Sequence, residues 1–120
     1  MDIKAVLAEL KDGGADTVSA LDRFLGDEEL YCECLADFME DKSFPALRDA
    51  LSANEIRAAF VAAHTLKGVA GNLGLSRLYN GLCILVESLR AGKDDSALLA
   101  AQYAPGAEEY EKLNDLISKN

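Results

Sequence analysis

Apolar residues recur along most of the chain at intervals of three and four, which is the spacing of one face of an α-helix. The repeat is clearest between residues 55 and 73, where the apolar positions are Ile56, Ala59, Phe60, Ala63, Leu66, Ala70 and Leu73. A second clear repeat, between residues 77 and 91, consists of Leu78, Leu82, Leu85, Val86 and Leu89. No segment alternates apolar and polar residues as a half-buried strand does. The pattern therefore predicts an all-α fold.

Turn and capping residues divide this pattern into two short and four longer predicted helices. The two short helices end at Gly13-Gly14 and at Gly26. The predicted ranges are 3–11, 17–25, 27–41, 55–73, 77–91 and 96–118. In the helix over 27–41, the expected inward positions are Leu30, Cys34, Leu35, Phe38 and Met39.

The two prolines are expected to interrupt the helices. Ser43-Phe44-Pro45 should end the third helix, which leaves one short helical turn at 47–51 before the next helix begins. Pro105-Gly106 should kink or break the last helix, because proline lacks an N–H and its ring clashes with the preceding turn.

The length of 120 residues suits one compact domain with a single core. We expect residues 27–118 to form an antiparallel up-down-up-down four-helix bundle, and residues 1–26 to form short helices that cover one end of it. Such a bundle predicts a monomer, with dimers through an apolar patch of the N-terminal helices as the alternative.

The charge balance limits the possible partners. Twenty-one acidic and 12 basic residues give a net charge of −9, which disfavours nucleic acid and anionic membranes as ligands. No apolar stretch approaches the ~20 residues that span a bilayer, and the N-terminus lacks the basic-then-apolar order of a signal peptide. We therefore expect a cytoplasmic protein.

The three cysteines, Cys32, Cys34 and Cys83, have no repeated spacing, so a disulfide framework is not expected. With one histidine and no second cysteine pair, the four ligands of a zinc site cannot be assembled from soft side chains. We expect no metal site.

The single histidine, His64, stands out on the helix over 55–73. On a wheel of 100° per residue it lies about 130° from the centre of the apolar face, which predicts an exposed side chain. Arg57 and Lys67 lie on the same outward side and form a small positive island on an acidic protein. This island suits an anion, and a neutral imidazole nitrogen is able to attack a phosphorus centre.

Three glycines follow His64 within ten residues: Gly68, Gly71 and Gly74. The first two lie inside the predicted helix, where each costs about 1 kcal/mol relative to alanine. Both remove side chains near the imidazole, which predicts access for a large partner. Gly71 and Gly74 have the equally good alternative of close helix packing or helix termination.

The segment 64–74, HTLKGVAGNLG, resembles the signature of histidine-containing phosphotransfer (Hpt) domains of bacterial two-component phosphorelays. That signature joins a phospho-accepting histidine to a lysine three residues on, a glycine four residues on and a glycine ten residues on. All four residues occur here. The order and length of the predicted helices also resemble the family's four-helix bundle, from about residue 27 to residue 117.

The resemblance implies a phosphorelay intermediate that docks receiver domains. His64 would accept the phosphoryl group from a receiver's aspartyl phosphate and pass it to another receiver. Lys67 would stabilise the charge of that group, and Gly68 would admit the receiver. Arg57 and Gly71 would belong to the docking surface. Gly74 would end the helix and allow close packing.

The same resemblance assigns the catalytic carboxylates and Mg²⁺ to the receiver. This chain would then be a phosphohistidine carrier without a cofactor, rather than an enzyme. Some members of the family use a polar side chain, often glutamine, on the facing helix to orient the histidine ring. The nearby positions here are Leu85, Val86 and Glu87, so no orienting residue is assigned.

One alternative function is a helical binding or inhibitor module that docks a kinase or receiver without carrying phosphate. The phosphoacceptor segment of a sensor kinase fits less well, since Thr65 stands where an acidic residue is usual and no proline follows. A kinase is excluded because no glycine-rich nucleotide loop is present, and acyl transfer is excluded because no serine elbow accompanies the histidine.

Overall fold

The computed structural model describes all 120 residues and contains seven α-helices and no strand. The helices are α1 (Ile3–Asp12), α2 (Thr17–Arg23), α3 (Glu28–Glu40), α4 (Ser43–Ser52), α5 (Ile56–Asn72), α6 (Ser76–Arg90) and α7 (Ser96–Ser118). The all-α prediction is confirmed. Six of the seven helices lie within two residues of a predicted range, and α4 is the exception.

Aspartate side chains start four of the helices. Each accepts a hydrogen bond from a backbone N–H of the first turn, which has no partner within the helix. The capping residues are Asp2 of α1, Asp16 of α2, Asp27 of α3 and Asp95 of α7. A cap of this kind stabilises a helix by about 1 kcal/mol, so these residues fix the helix starts locally.

The prediction for residues 43–52 is wrong, because this segment forms a full ten-residue helix, α4. The interruption falls at Asp41 and Lys42 instead of at Pro45. Pro45 occupies the first turn of α4, where a backbone N–H has no intrahelical acceptor and a proline costs little. Tertiary packing favours the helix, since the Phe44 ring stacks on the Tyr110 ring of α7 with centroids 4.0 Å apart.

Of the kink or break expected at Pro105, the break does not occur, because α7 runs unbroken from Ser96 to Ser118. Pro105 and Ala101, whose carbonyl loses its N–H partner, are both exposed, so water can replace the missing donor. Gly106 is buried where α7 crosses α6, and a β-carbon on Gly81 would approach the nitrogen of Gly106 to 3.0 Å. The two glycines allow the backbones of α6 and α7 to pack closely.

All seven helices contribute to one core of 23 buried apolar residues. The short N-terminal helices belong to it, since Val6, Leu10 and Ala20 are buried with the rest. All five predicted inward residues of α6 are buried. In α3 the inward face is rotated from the predicted one: Tyr31 and Cys32 are buried, and Leu30 is 44% exposed.

The C-terminal end of α5 is held by α2 and α3. The buried Tyr31 hydroxyl donates a hydrogen bond of 2.6 Å to the carbonyl of Leu73. The Arg23 guanidinium donates to the carbonyls of Gly71 (2.9 Å) and Asn72 (3.0 Å). The carbonyls of Asn72 and Leu73 are among those that a helix end leaves without partners, and these donors satisfy them. None of the helices combines the length and the hydropathy needed to cross a membrane.

Alanine substitutions at Gly81 and Gly68 should change the stability of the fold in opposite directions. Gly81→Ala places a β-carbon against the backbone of Pro105 and Gly106 at 3.0–3.2 Å, so we expect a net destabilisation of about 1–2 kcal/mol. Gly68→Ala meets nothing within 4 Å and should stabilise α5 by up to about 1 kcal/mol. Chemical denaturation of both variants measures these changes, and equal effects would contradict the close crossing.

Tyr31 should make the stability of the fold fall at alkaline pH. Burial raises the pKa of Tyr31 to about 12 from an ordinary value of 10.0. Because the folded pKa is the higher one, this contribution to stability is complete below pH 10 and is lost as the pH rises through 12. Tyr31→Phe should cost about 1–3 kcal/mol at pH 7 by leaving the Leu73 carbonyl unpaired.

Denaturation of wild type and Tyr31→Phe across this alkaline range tests both statements. The variant should lose less stability than the wild type as the pH rises. Tyr103 and Tyr110, whose pKa values are also raised by burial, titrate in both proteins and cancel in the comparison. An identical decline in the two proteins would contradict the role assigned to Tyr31.

Candidate functional site

The outward face of α5 is an exposed stripe that runs past His64. Its members are spaced by one, three or four residues and are all exposed: Arg57, Val61, His64, Thr65 and Gly68. The opposite face, rich in alanine, is buried against the rest of the bundle: Ala59, Ala62, Ala63, Leu66 and Ala70. The structure thus exposes His64, as its position on the helical wheel predicts.

The imidazole of His64 packs against an aromatic ring. The Phe60 ring, one turn earlier on α5, lies 5.5 Å from it between centroids, with 18° between the planes. The guanidinium of Arg90, at the end of α6, lies over the same Phe60 ring at 5.1 Å. No protein group forms a hydrogen bond with the imidazole. Its nitrogens are therefore free to meet an incoming group.

Lys67 lies on the other side of His64 along α5. Its ammonium is 5.1 Å from the centre of the Tyr79 ring of α6 and forms no ion pair. Arg57 is exposed and also forms no ion pair. Arg57 and Lys67 are thus unpaired cations on either side of His64 along α5, on a chain whose net charge is −9. The third nearby cation, Arg90, is paired with Glu87 at 3.4 Å.

The three glycines have different surroundings. A β-carbon on Gly68 would meet nothing within 4 Å, so the fold itself does not require a glycine there. Gly71 is half-buried, and the Tyr79 ring lies 3.4 Å from where its β-carbon would be, so the surface at this position is covered by α6. Gly74 has φ +69°, and a β-carbon there would collide with the carbonyl oxygen of Asp16. This agrees with the role of Gly74 in ending the helix and in packing.

Two contacts between α5 and α6 define how these helices face each other. Gly71 meets Tyr79, and Phe60 meets Arg90, so the two helices are antiparallel. Counting inward from these pairs places Val86 opposite His64, and Val86 is fully buried and apolar. The facing helix therefore supplies no polar partner for the imidazole, in line with the sequence at 85–87.

Phe60, Tyr79 and Arg90 are site residues that the sequence analysis missed. The apolar repeat predicts Phe60 only as a core residue, although its spacing of four from His64 allows the two rings to stack. Tyr79 and Arg90 come from α6 and required the alignment of α5 with α6. The sequence does carry a signal for this alignment, because a short turn between two helices favours antiparallel neighbours.

The surface around His64 is open. His64 lines none of the main cavities of the molecule, and no group of three or more histidine, cysteine, aspartate or glutamate side chains is arranged to hold a metal ion. A small substrate would not be enclosed here. The arrangement offers an accessible nitrogen nucleophile, flanking cations and a bare glycine, which suits chemistry completed by a docked macromolecule.

Comparison with known proteins identifies the family. The sequence model of the Hpt domain family matches residues 5–118 of the 120-residue chain. The match spans all seven helices and begins within α1, so the N-terminal helices lie inside the family's domain. No curated protein and no solved structure gives a significant match. Because the family model covers nearly the whole chain, this protein belongs to the Hpt domain family and has its role of histidine phosphotransfer in phosphorelays.

Proposed function

We propose that His64 accepts a phosphoryl group from the aspartyl phosphate of one receiver domain and passes it to another receiver. The observation that carries this proposal is that the only histidine of an Hpt-family chain is exposed and central on a cation-flanked helix face. The receivers would be domains of response regulators or of hybrid histidine kinases.

The chemistry needs little from this chain beyond the nucleophile. A nitrogen of the His64 imidazole attacks the phosphorus with its lone pair, and a P–N bond forms. The P–O bond to the receiver's aspartate breaks at the same time, and the carboxylate oxygen takes the electron pair. Transfer to the next receiver reverses these steps with a second aspartate as the nucleophile.

Lys67 and Arg57 would balance the charge of the transferred group and of the acidic receiver pocket, since phosphoryl transfer depends mainly on positioning and electrostatics. The ammonium of Lys67 is available because no carboxylate of this chain pairs with it. Mg²⁺ and the catalytic carboxylates would come from the receiver. This chain would then be a phosphohistidine carrier, and the receiver would catalyse the transfer.

The receiver would dock on the exposed stripe of α5. Val61 is 57% exposed three residues before His64 and offers an apolar contact. Gly68, four residues after His64, leaves open space into which the receiver could bring its backbone. Gly71 would contribute indirectly, because it allows the Tyr79 ring to pack close to α5.

His64→Gln should abolish phosphate acceptance and leave the fold intact, because the side chain is exposed and forms no hydrogen bond. Intact-mass analysis after mixing with a phosphorylated receiver should show an acid-labile gain of one phosphoryl group in wild type only. Circular dichroism should show equal helicity for the two proteins. Equal labelling of the variant would contradict the assignment, and no labelling of wild type by several receivers would favour a binding module.

Gly68→Gln should slow phosphotransfer without unfolding the protein. The new side chain enters open space in the free protein but occupies the surface where the receiver would dock. We expect kcat/KM for transfer to fall at least about tenfold, with the unfolding midpoint unchanged or higher. Ser118→Gln, at an exposed position in the last turn of α7, is the matched control and should transfer normally. Equal rates in both variants would place the docking surface elsewhere.

A further inference from the structure

The Lys67 ammonium lies at the Tyr79 ring, 5.1 Å from its centroid. His64 lies three residues before Lys67 on α5, and Gly71 lies four residues after it. The ring that contacts the ammonium, that of Tyr79, packs beside Gly71 and not beside His64. At 1.5 Å per residue, the levels of His64 and Gly71 differ by about 10 Å along the helix axis.

The Tyr79 ring is well suited to hold a cation at this place. It is 36% exposed, so the contact with Lys67 forms at the surface, and the missing side chain of Gly71 lets the ring lie against the helix. The face of an aromatic ring attracts an ammonium through its quadrupole. Lys67 forms no ion pair, so this ring is the group that sets where the ammonium rests.

We propose that Tyr79 is a positioning residue for Lys67, which it holds away from His64 until His64 carries a phosphoryl group. This inference rests on the proposed function of His64. The phosphoryl group and the ring compete for one ammonium, because they lie on opposite sides of Lys67 along the helix. Phosphorylation draws the ammonium from the ring to the phosphoryl oxygens.

The competition lowers the stability of the phosphorylated state. Each time Lys67 moves to the phosphoryl group, the contact with the ring is lost. A cation–π contact at an exposed site changes an equilibrium constant by about two- to fivefold. Tyr79 thereby makes phosphorylated His64 a better phosphoryl donor to the next receiver than it would be without the contact between Lys67 and the ring.

The position of the ammonium is measured directly by NMR of the Lys67 side chain. In the unphosphorylated protein, the ε-protons of Lys67 should be shifted upfield by the ring current of Tyr79. Phosphoramidate can phosphorylate an accessible histidine without a receiver, since its P–N bond breaks and ammonia leaves as the new P–N bond forms. After this treatment the ε-protons should move towards ordinary lysine values. Tyr79→Leu should abolish the upfield shift, and Tyr79→Phe should keep it.

The equilibrium with a receiver gives the second measurement. Tyr79→Leu should raise the equilibrium constant for phosphorylation of His64 about two- to fivefold. Tyr79→Phe should match wild type. In a Lys67→Ala background, Tyr79→Leu should have no further effect, because the two residues act through one contact.

Three results would overturn the proposal: no ring-current shift at Lys67, a shift that phosphorylation leaves unchanged, or an effect of Tyr79→Leu that persists without Lys67. The last result would mean that Tyr79 acts on receiver docking. If Lys67 moves on chemical phosphorylation but no receiver phosphorylates the chain, the proposed function fails and the positioning role of Tyr79 stands.

Discussion

The burial of one face of α5 is the interaction on which the rest of the structure depends. Four alanines and Leu66 fill this face and leave little side chain between α5 and its neighbours, so the helices pack closely. The period of 3.6 residues then forces the intervening positions outward, and His64 is among them. The same packing that builds the core therefore presents the imidazole of His64 to solvent, without any pocket or hydrogen bond made for it.

The C-terminal end of α5 is held by contacts with other helices, whereas its exposed face is not. Arg23 of α2 and Tyr31 of α3 donate to its last carbonyls, and Gly74 lies against the backbone at Asp16. These contacts come from elements before α5 in the chain and join them to the site. A helix held in this way suits the proposed function, because its exposed face keeps one geometry for each receiver that would dock there.

An aromatic ring, rather than a carboxylate, accompanies the ammonium of Lys67. Arg90 differs, because it lies over Phe60 and also pairs with Glu87 at 3.4 Å. In a chain with 21 acidic residues, a carboxylate beside Lys67 would cancel the charge that the proposed phosphoryl group would need. A ring restrains the ammonium and leaves its charge intact. The face of α5 thus keeps the unpaired positive charge of Lys67 on an acidic molecule.

The sequence by itself determined the helical class, most helix limits, the inward face of α6 and the exposure of His64. These follow from local rules: side-chain periodicity, aspartate caps and the need for glycine at position 74. The tertiary structure alone decided that α4 is a full helix, that α7 passes through Pro105, and that Tyr79 and Arg90 join the site. The physical reason is that these features depend on which side chains meet across helices. Local periodicity does not encode that alignment. The stacking of Phe44 on Tyr110 favours α4, and the close crossing of α6 and α7 at Gly106 offsets the local cost of Pro105.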